Sequence, residues 1–307
     1  MTDHFTSTLP LSRHRIYRDH LARRNPALFD DLWADESTRV LVLHDGSALL
    51  TPSSNALRLL RPAEVPEAEL LVYLGRSLDD DVAHVAAFLG EPAAATFGDG
   101  AVWGNLRSLG AVLSDLDAGL FTEALAMLRW HQSHRFSPRT GAPTAAALGG
   151  WVRRAEDDSH DLFPRTDAAI IVGVTDAADR ILLGSNAMWP SNRFSLLAGF
   201  VEPGESLEGA VIREVFEEAG VRVTNPVYLG SQPWPFPASL MLGFRATVDP
   251  DHADLRPDGD EIVDVRWFSR AELASSLDEI ALPGGTSIAR AIIEDWYGGP
   301  INDRQEW

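Results

Sequence analysis

Cysteine is absent from all 307 positions of this chain, which excludes disulfides and every thiolate metal site. Long apolar runs are missing too. None reaches the ~18 residues of a membrane-spanning helix, and the opening Met1-Thr-Asp-His-Phe has neither the basic start nor the apolar core of a secretory signal. A cytoplasmic protein with no membrane partner is the expectation. Positive charge is scarce: 26 Lys plus Arg stand against 45 Asp plus Glu, a formal net charge of −19. Sequence-independent affinity for nucleic acid should be poor, because it depends on clustered cations that release counterions. Two basic clusters, Arg13/Arg15/Arg18 and Arg135/Arg139/Arg153/Arg154, read as solvated surface.

What is present suffices for two cores of ordinary size, since 45 % of the residues are apolar. Residues 38–52 read as a hairpin about Asp45-Gly46, and strands are expected at Glu69–Leu74 and near Ala101-Val-Trp. Helices are expected near Asp79–Leu89 and Asp117–His134. Turn formers crowd 137–150 and mark a boundary. The expected organisation is an α+β domain over 1–130, a linker over 131–165 and a second domain over 166–307. In the second domain, strands are expected at 168–174, 180–183, 221–229, 239–248 and 262–268, with Phe194–Ala198 leading into a glycine-acid motif and helices over 270–277 and 286–296.

That motif carries the chemistry. Gly199 is followed after five residues by Glu205, and after seven more by Arg213-Glu214-Val-Phe-Glu217-Glu218-Ala-Gly220-Val221. Ser206 suits an N-cap and Gly220 a C-cap, so the acids lie on a helix with Ala210, Val211, Val215 and Ala219 as its apolar stripe. Glu214, Glu217 and Glu218 then share one opposing face. Like charges at this spacing repel by ~0.2–0.5 kcal/mol per pair, a conflict that a divalent cation removes. Hard oxygen ligands suit Mg2+ or Mn2+.

This stretch resembles the Nudix box, and every fixed position of that pattern is filled. Ten residues beyond it, Ser231-Gln232-Pro233-Trp234-Pro235-Phe236-Pro237-Ala238-Ser239 resembles the signature of the NADH pyrophosphatase branch, which also removes NAD caps from RNA. Its alternating prolines are expected to hold the segment extended, presenting Trp234 and Phe236 as an aromatic ledge, with Ser231, Gln232 and Ser239 as polar groups that read a base or ribose edge. The resemblance implies an α/β fold, an α/β/α sandwich with a mixed sheet, behind the smaller α+β domain. It also implies a homodimer using two or more Mg2+ or Mn2+ ions. The family usually carries a four-cysteine zinc ribbon, but Ser137 and Thr140 stand where the first pair would be, so no zinc is expected. His131, His134 and His160 read as ordinary polar contacts.

By the same resemblance, Glu214, Glu218, the carbonyl of Ala198 and a more distant acid hold metal; Glu261 is the candidate, with Asp258, Asp260 and Asp264 as neighbouring alternatives. Glu217 is the candidate general base, a role that Glu218 could exchange with it. Arg213 is expected to pair with Glu205 and brace the loop, with Gly199 and Gly220 as backbone devices. Phe200 resembles the position that stacks on nicotinamide, and Phe163 and Ala289 resemble further substrate contacts. The implied reaction is hydrolysis of NADH or NAD+, or of an NAD cap on RNA. A broader ADP-ribose-type hydrolase and a catalytically weak nucleotide sensor are the rival readings.

Overall fold

The structure, a computed structural model, describes residues 3–52, 54–155 and 160–302. The chain divides into two compact units: 13–166 with 234–238, and the described residues of 1–12, 167–233 and 239–307.

In the first unit, Arg39–His44 and Ser47–Leu50 form the expected hairpin, turning through Asp45 and Gly46, both at positive φ. They belong to a seven-stranded sheet ordered Ile16–Tyr17, Leu70–Ser77, Ala83–Phe88, Arg39–His44, Ser47–Leu50 and Val102–Asn105, with Leu59–Leu60 beside Arg39–His44. The helix expected over 79–89 is a strand instead. Ala83–Phe88 pairs antiparallel with Leu70–Ser77 and parallel with Arg39–His44, and all six of its residues are buried. A strand covered on both faces has no polar alternation to betray it, and the run Ala-His-Val-Ala-Ala-Phe reads equally well as helix. The Asp115–Ser133 helix, capped by Ser114, contributes a further apolar face. A small antiparallel sheet follows, ordered Asp161–Leu162, Val152–Ala155, Thr144–Ala147; residues 156–159 of the expected linker lie outside the described residues.

Where the zinc ribbon of the resembled family would begin, hydroxyls organise the turn. Ser137 Oγ accepts from the Arg139 and Thr140 amides, and Thr140 Oγ1 accepts from Ala142. His131 is buried with both ring nitrogens engaged, at Gly150 O (2.8 Å) and Arg153 Nη1 (2.8 Å). Among the described residues no three His, Asp or Glu side chains are gathered as a metal cluster.

The second unit is an α/β/α sandwich. Its sheet runs Val223–Trp234, Ser239–Val248, Asp167–Thr175, Ile181–Asn186, Ile262–Phe268, and Leu197–Phe200 pairs antiparallel with Asp167–Thr175. The pairing of Asp167–Thr175 with Ser239–Val248 is parallel, which makes the sheet mixed. Successive side chains of Asp167–Thr175 serve opposite faces. Ile170, Val172 and Val174 join Ala210, Val211, Val215 and Ala219 of the Leu207–Ala219 helix in one core. Ile171 joins Ile288, Ile292 and Ile293 of the Ile288–Tyr297 helix in the other. No helix among the described residues is long and apolar enough to cross a membrane.

Candidate functional site

The Leu207–Ala219 helix presents the acids. Ser206 caps its start by accepting from the Gly209 amide at 3.0 Å, a contact worth ~1 kcal/mol. Gly220 closes it in the left-handed region, φ 75°. With the apolar stripe fixed in the core, the register of every glutamate is decided, yet the three acids do not share one environment. Glu217 is exposed, Glu214 is half-buried and Glu218 is only 6 % exposed. The acids adjoin one another, as their spacing implies, but a helix lying on a sheet turns adjacent positions from solvent toward the interior, so the three form a gradient of burial.

Arg213 organises the solvent side. Its Nε and Nη2 grip both oxygens of Glu205 at 2.8 Å, Nη1 reaches Glu214 at 2.9 Å and Glu217 at 3.0 Å, and Nη2 also donates to the Phe200 carbonyl at 2.9 Å. Five acceptors match the five N–H donors of a guanidinium. The loop, the strand end and two acids are thus tied to one cation, well beyond the single Glu205 pair that the motif suggested. Arg213 holds the Glu205 carboxyl below its usual range.

Gly199 explains itself by what a side chain would strike. A Cβ there would lie 2.0 Å from Glu214 Oε1 and 2.1 Å from its carboxyl carbon, so the glycine is the cradle of that carboxylate. Burial raises the pKa of Glu214, Arg213 opposes the rise, and Glu217 and Glu261 add to it. For Glu218 burial is again the largest cause, followed by repulsion from Glu214 and Glu261, and the carboxyl is pushed up to about 8 despite a hydrogen bond with the Ala198 backbone. Among the described residues Glu218 Oε2 is buried with no hydrogen-bond partner.

Glu261 precedes the Ile262–Phe268 strand; Asn186 Nδ2 donates to its Oε1 at 3.5 Å, and its charge is felt by Glu214 and Glu218. Asp258 is otherwise employed, accepting the amides of Asp260, Glu261 and Ile262. Asp264 pairs with Arg266. Among the described residues no three acids are gathered into a cage, but Glu214 and Glu218 fit a hard dication. A partnerless buried carboxylate oxygen faces mutual repulsion from neighbouring acids, and ions of this kind take one or two carboxylates alongside waters and phosphates, with no need for a closed cage.

The second motif departs from the extended ledge. Pro235–Ala238 is a turn between the Val223–Trp234 and Ser239–Val248 strands, because the two strands are neighbours in one sheet and the chain must reverse between them. Trp234 and Phe236 meet edge to face at 4.8 Å, and the Arg107 guanidinium lies 4.2 Å from the Phe236 ring and 5.1 Å from that of Trp234. No local pattern could have found Arg107, which is remote in sequence. Gln232 is fully buried: its Oε1 accepts from the Leu11 amide at 3.3 Å and its Nε2 donates to Thr286 O at 3.1 Å. That corrects the expectation of a base-reading amide, since both ends are committed to the fold. Ser231 accepts through its carbonyl from Ser12 Oγ at 2.6 Å, and Ser239 opens the strand that pairs with Asp167–Thr175. Pro235 is buried, while Pro233 and Ala238 are half-buried and Pro237 is exposed. Ala289 is a core residue whose amide bonds the Ser287 cap at 3.2 Å. Phe200 and Phe163 are exposed, at 58 % and 67 %.

Comparison with known proteins gives the family. Residues 164–291 match the NUDIX domain model, and residues 37–130 match the NADH pyrophosphatase-like rudimentary NUDIX domain. An NAD-capped RNA hydrolase of Mycobacterium bovis is 48 % identical over 202 residues, 62 % of this chain and 64 % of that protein. One from Pseudomonas syringae is 40 % identical over 199 residues, 64 % of this chain and 67 % of that protein, and one from Macaca fascicularis is 36 % identical over 198 residues, 60 % and 42 %. The chain belongs to the Nudix hydrolase family, in its NADH pyrophosphatase-like branch. It spans 64 % of the length of the mycobacterial relatives that it matches.

Proposed function

We propose that this chain hydrolyses the pyrophosphate of NADH or NAD+ to nicotinamide mononucleotide and AMP, and removes NAD caps from RNA to leave a 5′-monophosphate end. The supporting observation is the buried, partnerless Glu218 Oε2 beside the Glu214 carboxylate that Gly199 cradles. Glu214, Glu218, Glu261 and the Ala198 carbonyl would hold two or more Mg2+ or Mn2+ ions. When bound, these would neutralise the phosphate oxygens and favour attack by water on phosphorus.

The chain's own groups supply the rest. Glu217, exposed and steadied by Arg213 at 3.0 Å, takes the proton from the attacking water, a role Glu218 is near enough along the helix to share. Arg213 holds the strand end at Phe200, whose ring is exposed for stacking on nicotinamide. The chain acts as a homodimer in this reading, which light scattering checks. Product analysis with NADH, ADP-ribose and NAD-capped RNA, with and without Mg2+, tests the substrate assignment. Nicotinamide mononucleotide and a 5′-monophosphate RNA are the expected products. Higher kcat/KM for ADP-ribose than for either NAD-containing substrate would hand the site to a broader hydrolase, and nucleotide binding without any product would make it a sensor. Turnover should fall ~100-fold or more in Glu217→Gln or Glu218→Gln; near-wild-type rates in both at saturating metal would refute the mechanism.

A further inference from the structure

Of the basic cluster around residue 135, Arg135, Arg139 and Arg154 are exposed, as a solvated surface would be, but Arg153 is not. Arg153 is only 9 % exposed, and it donates Nε to Thr144 Oγ1 at 2.7 Å, Nη2 to Thr144 O at 2.5 Å and Nη1 to His131 Nδ1 at 2.8 Å. None of these acceptors brings a negative charge. His131 gives its Nε2 proton to Gly150 O and is held neutral, its pKa driven down to about 4, chiefly by burial. Among the described residues no carboxylate pairs with Arg153 or with Arg135, and the charge of Arg135 adds to the burial that disfavours the Arg153 cation. A buried cation left without a counter-charge is costly, and an anionic ligand would relieve it.

Arg153 lines a cavity of about 510 Å³ together with Arg135, Phe88, Leu128, Phe136 and Pro143. Phe136 is 61 % exposed, an aromatic ring beside two guanidinium groups that no carboxylate among the described residues pairs with. All 26 cationic side chains of the chain are arginines, the planar donors that grip phosphate oxygens in pairs. Glu69 is the carboxylate in the lining, an acceptor suited to sugar hydroxyls. The volume is that of a small-molecule site, and the net charge of −19 disfavours a polyanionic strand.

We propose that this cavity binds a phosphate monoester bearing an aromatic ring, of the nucleoside 5′-monophosphate class, with Arg153 and Arg135 on the phosphate and Phe136 against the ring. The site lies wholly within the 13–166 unit and involves none of the box residues.

The test is calorimetric titration of the full chain with AMP in EDTA, on a Glu218→Gln background that cannot turn over substrate, with inorganic phosphate and adenosine as partial probes. Phosphate should compete with AMP, and adenosine should bind at least tenfold more weakly. Arg135→Ala and Phe136→Ala, both at exposed positions, should each weaken AMP about tenfold, while leaving hydrolysis by the otherwise wild-type chain unchanged. Arg153→Lys should do the same if it folds; the two exposed variants carry the test if it does not. An AMP affinity unchanged by both exposed substitutions overturns the site. So does a 5′-phosphorylated ten-nucleotide RNA that binds more than tenfold tighter than AMP and loses that affinity in the same variants, because the ligand would then be a strand.

Discussion

Replacing Glu218 by glutamine should make the metal-free protein more stable while destroying its catalysis. The carboxyl is 6 % exposed, and its pKa rises from 4.5 to about 8, first through burial and then through Glu214 and Glu261. In the unfolded chain the group loses its proton near its ordinary value, so between those two values the folded state binds more protons than the unfolded one. Stability from this group is therefore fully present below pH 4.5 and falls as pH rises toward 8. At about 1.4 kcal/mol per unit, the ceiling on that loss is on the order of 4–5 kcal/mol. Glutamine keeps the shape and the acceptor for Ala198 but never ionises. Urea unfolding in EDTA should show wild type and Glu218→Gln within about 1 kcal/mol of each other at pH 5, and the variant ahead by ~2–4 kcal/mol at pH 8.5. Saturating Mn2+ at pH 8.5 should return the advantage to wild type. A variant that is equally destabilised at both pH values would refute the argument, because the buried negative charge would then carry no cost.

The same contacts make further predictions. Gly199→Ala would drive a methyl to within 2.0 Å of Glu214 Oε1, so kcat/KM should drop on the order of 100-fold with far-ultraviolet dichroism retained; an active alanine variant would mean that this carboxylate can sit elsewhere. Gln232→Leu removes the acceptor of the buried Leu11 amide and a donor to the Thr286 carbonyl, and chemical denaturation should register a loss of ~1–3 kcal/mol. If KM rises while stability holds, Gln232 belongs to substrate after all. Arg213→Lys keeps the charge but surrenders the fork on Glu205, so it should lose activity ~10-fold or more, as measured by steady-state kinetics, without rescue by added metal.

The helix of the box was legible because all its instructions are local. Ser206 and Gly220 set its ends, the 3.6-residue period sets its stripe, and the spacing of Glu214, Glu217 and Glu218 follows from both. The hairpin at Asp45-Gly46 and the strands at 239–248 and 262–268 were legible for the same reason: turn chemistry and alternation act over a few residues. The Ala83–Phe88 strand was not, since burial on both faces erased the alternation that marks a strand.

Chain order thus determined which acids this protein carries, on what helix, and where the glycines that frame them fall. Tertiary packing decided what those acids are like. It put Glu218 in the interior and left Glu217 in water, wrapped Arg213 around Glu205, Glu214 and Glu217, enclosed Gln232, and buried Arg153 against neutral acceptors. The cost of a charge depends on how much solvent remains around it and which other charges stand nearby, and both are set by residues distant in sequence that only the folded chain brings together.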